Sequence, residues 1–231
     1  MKKLVFSAAL VSTLLLGACG ENEETKETTT SNPETEAVTE DTKDTEKNTE
    51  VAKEEESDSL EVKDGILTKE GQWTMDGEDK VTLAKIKEVN QTYTQGPINI
   101  TIESVKLLHH SNVSEETKAY FKNTNGKDIT ELSTIQLIYK VENTVDNNVM
   151  MMAVDTLTTD TKAQIHSYDN MAYSDDTGTY AGQVIVEGLA IFPYFTGSLE
   201  DINTVFINTG TAFDSDSGTT LGEGQRIEIN F

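Results

Sequence analysis

Alternating carboxylates in Asp214-Ser215-Asp216-Ser217-Gly218 come nearest to a cation loop in this chain, because acids two residues apart on a tight turn converge on one hard ion. A calcium loop of that kind needs Asp or Asn at its fifth position and Glu at its twelfth, where this chain has Gly218 and Gln225. The reading that follows is a polar hairpin turn, and Asp175-Asp176-Thr177-Gly178 is weaker still as a cation site. The three imidazoles are His109, His110 and His166. Zinc needs three or four convergent ligands, and adjacent residues on a strand point to opposite faces, so His109 and His110 do not share one metal and His166 joins them only through the fold. In Met150-Met151-Met152 the first and third thioethers share a strand face and would offer soft ligands to copper, although thioethers more often fill gaps in cores. Trp73, Tyr93 and Tyr194-Phe195 would make a platform for a sugar or a peptide wherever they are exposed, with burial the commoner fate; Trp73, in a Gly-flanked segment ahead of the main strands, is the best placed. A serine hydrolase would need a Gly-x-Ser-x-Gly elbow, and none occurs; nor does a Walker loop or a dinucleotide fingerprint. Paired carboxylates do glycosidase chemistry, but with 25 acids between residues 62 and 231 no pair stands out. No catalytic residue, metal ligand or cofactor is therefore assigned.

The composition excludes one partner class. With 231 residues, 41 acids, 18 bases and a net charge of −23, and with Arg226 the only arginine, the chain lacks the basic face that binding a phosphate backbone requires, so no nucleic-acid partner is expected. Hydrophobic content of 35% is low for a globular protein, so part of the chain lacks a core.

That part is at the front. Lys2 and Lys3 precede an apolar run from Leu4 to Leu16, the length of a signal-peptide core and too short to span a bilayer as a stable helix. It ends at Leu16-Gly17-Ala18-Cys19, where small residues before the single cysteine fit a peptidase groove. This order resembles the lipobox of bacterial lipoproteins. The resemblance implies a signal peptide over residues 1–18 that is cut after Ala18, and diacylglycerol on the Cys19 thiol, which leaves no cysteine for nucleophilic catalysis. Two acyl chains suffice for stable anchoring, where one is marginal, so the expected location is the extracytoplasmic face of the cell membrane. Gly20 to Glu61 then holds 16 acids and 4 lysines among 42 residues, with only Ala37, Val38, Val51, Ala52 and Leu60 apolar. Residues 19–61 therefore read as the lipidated cysteine and a disordered acidic Thr/Glu-rich linker, a solvated spacer with a reach on the order of 35 Å that self-repulsion lengthens. Export together with such a spacer fits the outer face of a Gram-positive membrane.

From Val62 to Phe231 there are 170 residues, ample for one core. Short alternating segments separated by Gly, Asn and Asp give a strand pattern. Val81, Leu83 and Ile86 begin it; Gly96-Pro97 marks a turn; Ile98, Ile100 and Ile102 follow, and the phase slips at Ser104-Val105, where a bulge would return Val105 and Leu107 to the inward face. Ile135, Leu137, Tyr139 and Val141 form the clearest strand, expected to be central. Asp146-Asn147-Asn148 predicts a hairpin turn that pairs Val149 to Leu157 back on that strand. Further strands are expected over Gln183 to Phe192, Ile202 to Asn208 and Arg226 to Phe231. One helix is expected between strands, with Ser114 as its cap, Glu115 and Glu116 in its first turn, Tyr120-Phe121 packing, and Asn123 to Gly126 as its stop.

Taken together, the run Val81 to Leu108, the Val141-Glu142-Asn143-Thr144 strand end, Val186-Glu187-Gly188 before Ile191-Phe192, and the closing Arg226 to Phe231 look like the uncharacterised immunoglobulin-like domains, of the immunoprotective extracellular type, appended to Gram-positive lipoproteins. The resemblance implies an all-β fold, an immunoglobulin-like antiparallel β-sandwich with one short helix over residues 62–231, with no established catalytic residues. Asn143 would cap a strand end and Gly188 would permit a bulge or a close backbone approach. The expected function is an anchored, non-catalytic module that binds an envelope protein or polymer. The alternatives are an envelope hydrolase or metal-dependent enzyme built from Asp and His residues on loops, and a small-solute receptor, for which 170 residues is short.

Overall fold

The computed structural model describes residues 60–231 apart from Tyr173; the expected signal peptide 1–18, Cys19 and the linker up to residue 59 lie outside the described residues. Among the described residues thirteen strands and one α-helix follow in order: β1 Trp73–Asp76, β2 Asp79–Gln95, β3 Ile98–Ser111, α1 Glu115–Asn125, β4 Leu132–Asn143, β5 Val149–Met150, β6 Thr156–Thr159, β7 Gln164–His166, β8 Thr179–Tyr180, β9 Val184–Tyr194, β10 Thr204–Asn208, β11 Ala212–Asp214, β12 Thr220–Gly222 and β13 Arg226–Asn230. They form an all-β sandwich of antiparallel sheets. A five-stranded sheet ordered β1-β2-β3-β4-β9 faces two four-stranded sheets, β13-β10-β6-β7 and β12-β11-β5-β8.

Alternation in the sequence accounts for the core. Ile98, Ile100, Ile102, Val105 and Leu107 of β3, Ile135, Leu137 and Val141 of β4, and Phe192 of β9 meet Leu157, Val205, Ile207, Ile227 and Ile229 from the facing layer. Each is buried, which contributes about 1.5–3 kcal/mol per large aliphatic side chain. The expected bulge lies between Ile102 and Ser104, where the register of β3 on β4 shifts by one and restores Val105 to the core side. β4 has strands on both sides, β3 and β9, as the cleanest alternation in the chain requires. At the β2–β3 hairpin tip Gly96 has φ of 57°, and its Cα lies so close to the Leu221 carbonyl that no Cβ fits. The neighbouring Gln95 side chain is buried, donating to Gly210 O (2.7 Å) and accepting from the Thr209 hydroxyl (2.6 Å), which fixes the tip on the opposite layer.

One expectation is corrected. Asp146-Asn147-Asn148 does not return the chain along β4. It carries it to the other layer, where Val149 and Met150 pair with β11 and β8, while Thr156–Thr159 joins β10 and β7. The reason is Asn143. Its buried amide donates to Asn147 O (2.8 Å), Gly182 O (2.8 Å) and Tyr180 O (3.2 Å), and its oxygen accepts from Val145 N–H (3.2 Å), so the peptide groups after β4 are committed to this hub and not to a hairpin ladder. The expected strand-end cap is thus a junction between layers.

Helix α1 bridges β3 and β4 with the expected cap: Ser114 Oγ accepts from Thr117 N–H (3.2 Å), and the Gly126 N–H at the far end donates to Phe121 O. The Ser114 N–H donates to Asp79 Oδ1 (2.7 Å), which ties the helix start to the beginning of β2. Phe121 is buried with Val113 and Leu132 in a small separate core, against which Tyr120, Ile129 and Met171 pack.

Candidate functional site

The aspartate loop after β11 is a closed turn. Asp214 Oδ1 accepts from the N–H groups of Ser217 (2.8 Å) and Asp216 (3.1 Å) and from the Ser217 hydroxyl (2.9 Å), while Oδ2 accepts from Asn147 Nδ2 (2.8 Å). These donors, that of Asn147 foremost, hold its pKa down at about 2. An Asp whose folded pKa lies below its ordinary 3.8 adds stability that is complete above the unfolded value and is lost as the pH falls through about 2. His110 acts in the window above. Burial, and then the neighbouring His109, lowers its pKa from 6.5 to about 4, so the unfolded chain takes up a proton first and stability declines between those values. The expected result is a two-stage loss of melting temperature on acidification. Asp214→Asn should melt below the unsubstituted chain at neutral pH, with the gap closing only below about pH 4. A gap that does not change with pH contradicts this assignment.

The histidines are not brought together. His109 lies 3.8 Å from Glu131 Oε2, His110 Nε2 hydrogen-bonds with Thr134 Oγ1 at 3.0 Å, and His166 ends β7 with Nε2 3.0 Å from the Gln164 amide. Among the described residues no three His, Cys, Asp or Glu side chains are placed to hold a metal. The methionines separate as well. Met151 is buried in the core, whereas Met150 and Met152 are about half exposed, Met150 across from Phe213 and Met152 against Gly178 and Gly210.

Asp176 binds tyrosines. Its Oδ2 accepts from Tyr139 Oη (2.9 Å), and Oδ1 from Tyr180 Oη (2.8 Å) and Gly178 N–H (2.9 Å). Both phenols are pushed far above their ordinary range, first by burial and then by the carboxylate. Beside them lies a cleft of about 50 Å³, room for a water or two. The Tyr139 ring covers Gly188 on the neighbouring strand, where a Cβ would overlap its Cζ and Cε2 atoms. The expectation of a close approach at Gly188 holds, and the approaching group is an aromatic ring.

The aromatic candidates divide. Tyr194 is buried, its hydroxyl 2.9 Å from Thr161 Oγ1. Trp73 and Tyr93 are half-buried, and the Lys80 ammonium stands 4.2 Å over the Trp73 ring. Phe195 is 39% exposed, edge-on to Phe121 at 5.6 Å, with Lys127 at 4.6 Å above its face. Phe121 and Tyr120, which also meet edge-on, extend this group toward a larger cleft of about 270 Å³ between the end of α1 and the turn Ser167–Asp169. Tyr120, Thr124 and Asn125 of the helix, Tyr168 and Asp169 of the turn, and Pro193 of β9 line it. The turn is strapped in place: Ser167 N–H donates to Asp155 O (2.9 Å), Met171 N–H to Ile191 O (2.8 Å), and Asn170 Oδ1 accepts from Ile191 N–H (2.8 Å). Tyr168 is 80% exposed, yet its ring stacks on His166 at 5.0 Å and 10°. Sequence reasoning missed Tyr168, because an isolated Tyr between two loop signals carries no periodicity. The only available signal was the aromatic pair His166-x-Tyr168 at strand spacing.

No protein-family model matches the chain, and no curated protein matches it. Among solved structures, the chain is similar to a conserved hypothetical protein from Bacillus anthracis at 7% identity and a TM-score of 0.35, over 59% of this chain and 96% of that one. It is also similar to a functionally unknown protein from Listeria monocytogenes EGD-e at 17% identity and a TM-score of 0.50, over 65% of this chain and 86% of that one, a likeness of fold alone.

Proposed function

We propose that this chain is a lipid-anchored, extracytoplasmic, non-catalytic module that holds a neutral envelope glycan in the cleft between α1 and the Ser167–Asp169 turn. One observation carries the reading: Tyr168 presents a largely exposed aromatic ring that is already fixed by stacking on His166. A ring held in place loses little freedom when a ligand stacks on it, so contact area converts into affinity more fully than for a mobile side chain. Short planar and hydroxyl groups around it, on Thr124, Asn125 and Asp169, match the hydrogen-bonding edge of a sugar. The domain's excess of acids disfavours anionic polymers, which selects an uncharged chain of sugars. Anchoring through Cys19 on an acidic spacer raises the local concentration of the module near the wall, so modest affinity per site is enough. The hydrolase alternative needs two carboxylates flanking a substrate; among the described residues Asp169 is the one acid that lines the larger cleft, and Asp176, beside a space of about 50 Å³, has both oxygens committed to tyrosine hydroxyls.

Tyr168→Ala is expected to weaken retention of the full chain on immobilised glycan strands by about thirtyfold, the loss of one aromatic hot spot, without moving the melting temperature. Unchanged retention by a variant that melts normally contradicts the proposal.

A further inference from the structure

Strand β9 is the last strand of the five-stranded sheet, and its two halves are treated differently. Its register on β4 is unbroken from Ser133↔Tyr194 to Asn143↔Val184. Leu189 N–H donates to Ser174 Oγ (3.2 Å) and Ile191 N–H to Asn170 Oδ1 (2.8 Å), so the odd-numbered residues of β9 turn their peptide groups away from β4. In the second half that edge is closed by those two side chains, by the Met171 N–H on Ile191 O, and by Pro193, which has no N–H. In the first half the outward N–H and C=O groups of Ile185 and Glu187 have no partner among the described residues. Ile185 is 67% exposed, and Val184-Ile185-Val186 is strongly strand-forming, with no lysine or proline to guard it. Two donors and two acceptors at strand spacing are satisfied by another extended backbone.

Charge selects the occupant. Glu187 lies on this edge, Glu142 stands opposite Ile185 on β4, and Asp146 Oδ1 accepts from Gln183 Nε2 just before the strand. The cation beside them, Lys140, is held by Glu103 at 2.8 Å and lies 3.7 Å from Glu187, whose side chain remains three-quarters exposed. A second copy of the same edge would bring acid against acid, whereas a basic strand complements it. From this we propose that the Val184–Glu187 edge receives an extended basic peptide segment by antiparallel strand addition, with a Lys or Arg opposite Glu187 and an aliphatic residue two positions later opposite Ile185. The surface is separate from the glycan cleft and does not depend on it.

The probe is the peptide acetyl-Thr-Lys-Val-Ile-Thr-amide, titrated into the full chain in detergent by calorimetry and by amide hydrogen exchange. Binding should slow exchange at Ile185 and Glu187. N-methylation of the peptide's Lys and Ile nitrogens should abolish binding, and N-methylation of its Val nitrogen, which faces away from β9, should not. Glu187→Lys, a substitution at an exposed side chain, should weaken binding by about tenfold, and a peptide with Glu in place of Lys should recover it. Tyr168→Ala should leave peptide binding unchanged, which separates this surface from the cleft. The proposal is overturned by absence of protection at millimolar peptide, by equal binding of the Lys/Ile N-methylated peptide, or by a dimer of the full chain that occupies this edge and excludes the peptide.

Discussion

Gly188→Val is expected to destabilise the domain by more than about 3 kcal/mol, a large share of the roughly 5–15 kcal/mol that holds an ordinary domain together. The cause is packing. The Tyr139 ring lies flat over Gly188 on the adjacent strand, so a side chain there would occupy ring atoms. The ring has nowhere to go, since Tyr139 is buried and its hydroxyl is fixed on Asp176, which also holds Tyr180. Gly188, Tyr139 and Asp176 therefore act as one unit, and their substitutions should not add. Tyr139→Ala should recover part of the loss when combined with Gly188→Val, although alone it costs about 3–5 kcal/mol as a buried large-to-small change. Chemical denaturation of the four chains of this cycle measures the coupling. Additive losses would show that the Tyr139 ring does not cover Gly188.

Asn143→Leu is the second large effect, about 3 kcal/mol or more. The substitution keeps the branched shape but removes the donor from the buried Tyr180 carbonyl and from the part-buried bonds to Asn147 O and Gly182 O, and the acceptor from the Val145 N–H. Each buried polar group left without a partner costs about 1–3 kcal/mol. Asn143→Asp offers no relief, since it removes the donors and sets a charge among carbonyl oxygens. Hydrogen exchange should show the loss first at Val145, Val149 and Tyr180, where the chain crosses between layers. A uniform loss across all sheets would contradict a local junction.

These two residues also show where sequence reasoning succeeds and where it stops. The inward isoleucines of β3 and β4, the phase slip at Ser104 and the Ser114 cap each follow from a local rule, and the structure bears them out. Gly188 was legible as a close approach, because a glycine inside a strand pattern has few other uses. Its partner was not, since Tyr139 and Gly188 are paired only by the register of β4 on β9. Asn143 was legible as a cap but not as a hub, because the carbonyls it collects come from segments far apart in the chain. For the same reason Asp146-Asn147-Asn148 read as a hairpin: its residues tolerate a turn, and nothing local says which sheet the turn leads to. The cleft was least legible. Its walls, Tyr120 on a helix and Tyr168 on a single 3-10 turn, meet through tertiary packing, and each alone resembles an ordinary core or surface residue.

Glycan binding centres on the Tyr168 ring, stacked on His166. It is tested most directly by titrating the isotopically labelled full chain in detergent with a soluble fragment of uncharged N-acetylhexosamine strand and following ring and amide resonances. The prediction is saturable shifts confined to Tyr168, His166, Tyr120, Asn125 and Asp169, with the Tyr168 ring protons moved most. Saturable shifts centred elsewhere on the domain, or none at all, would contradict it.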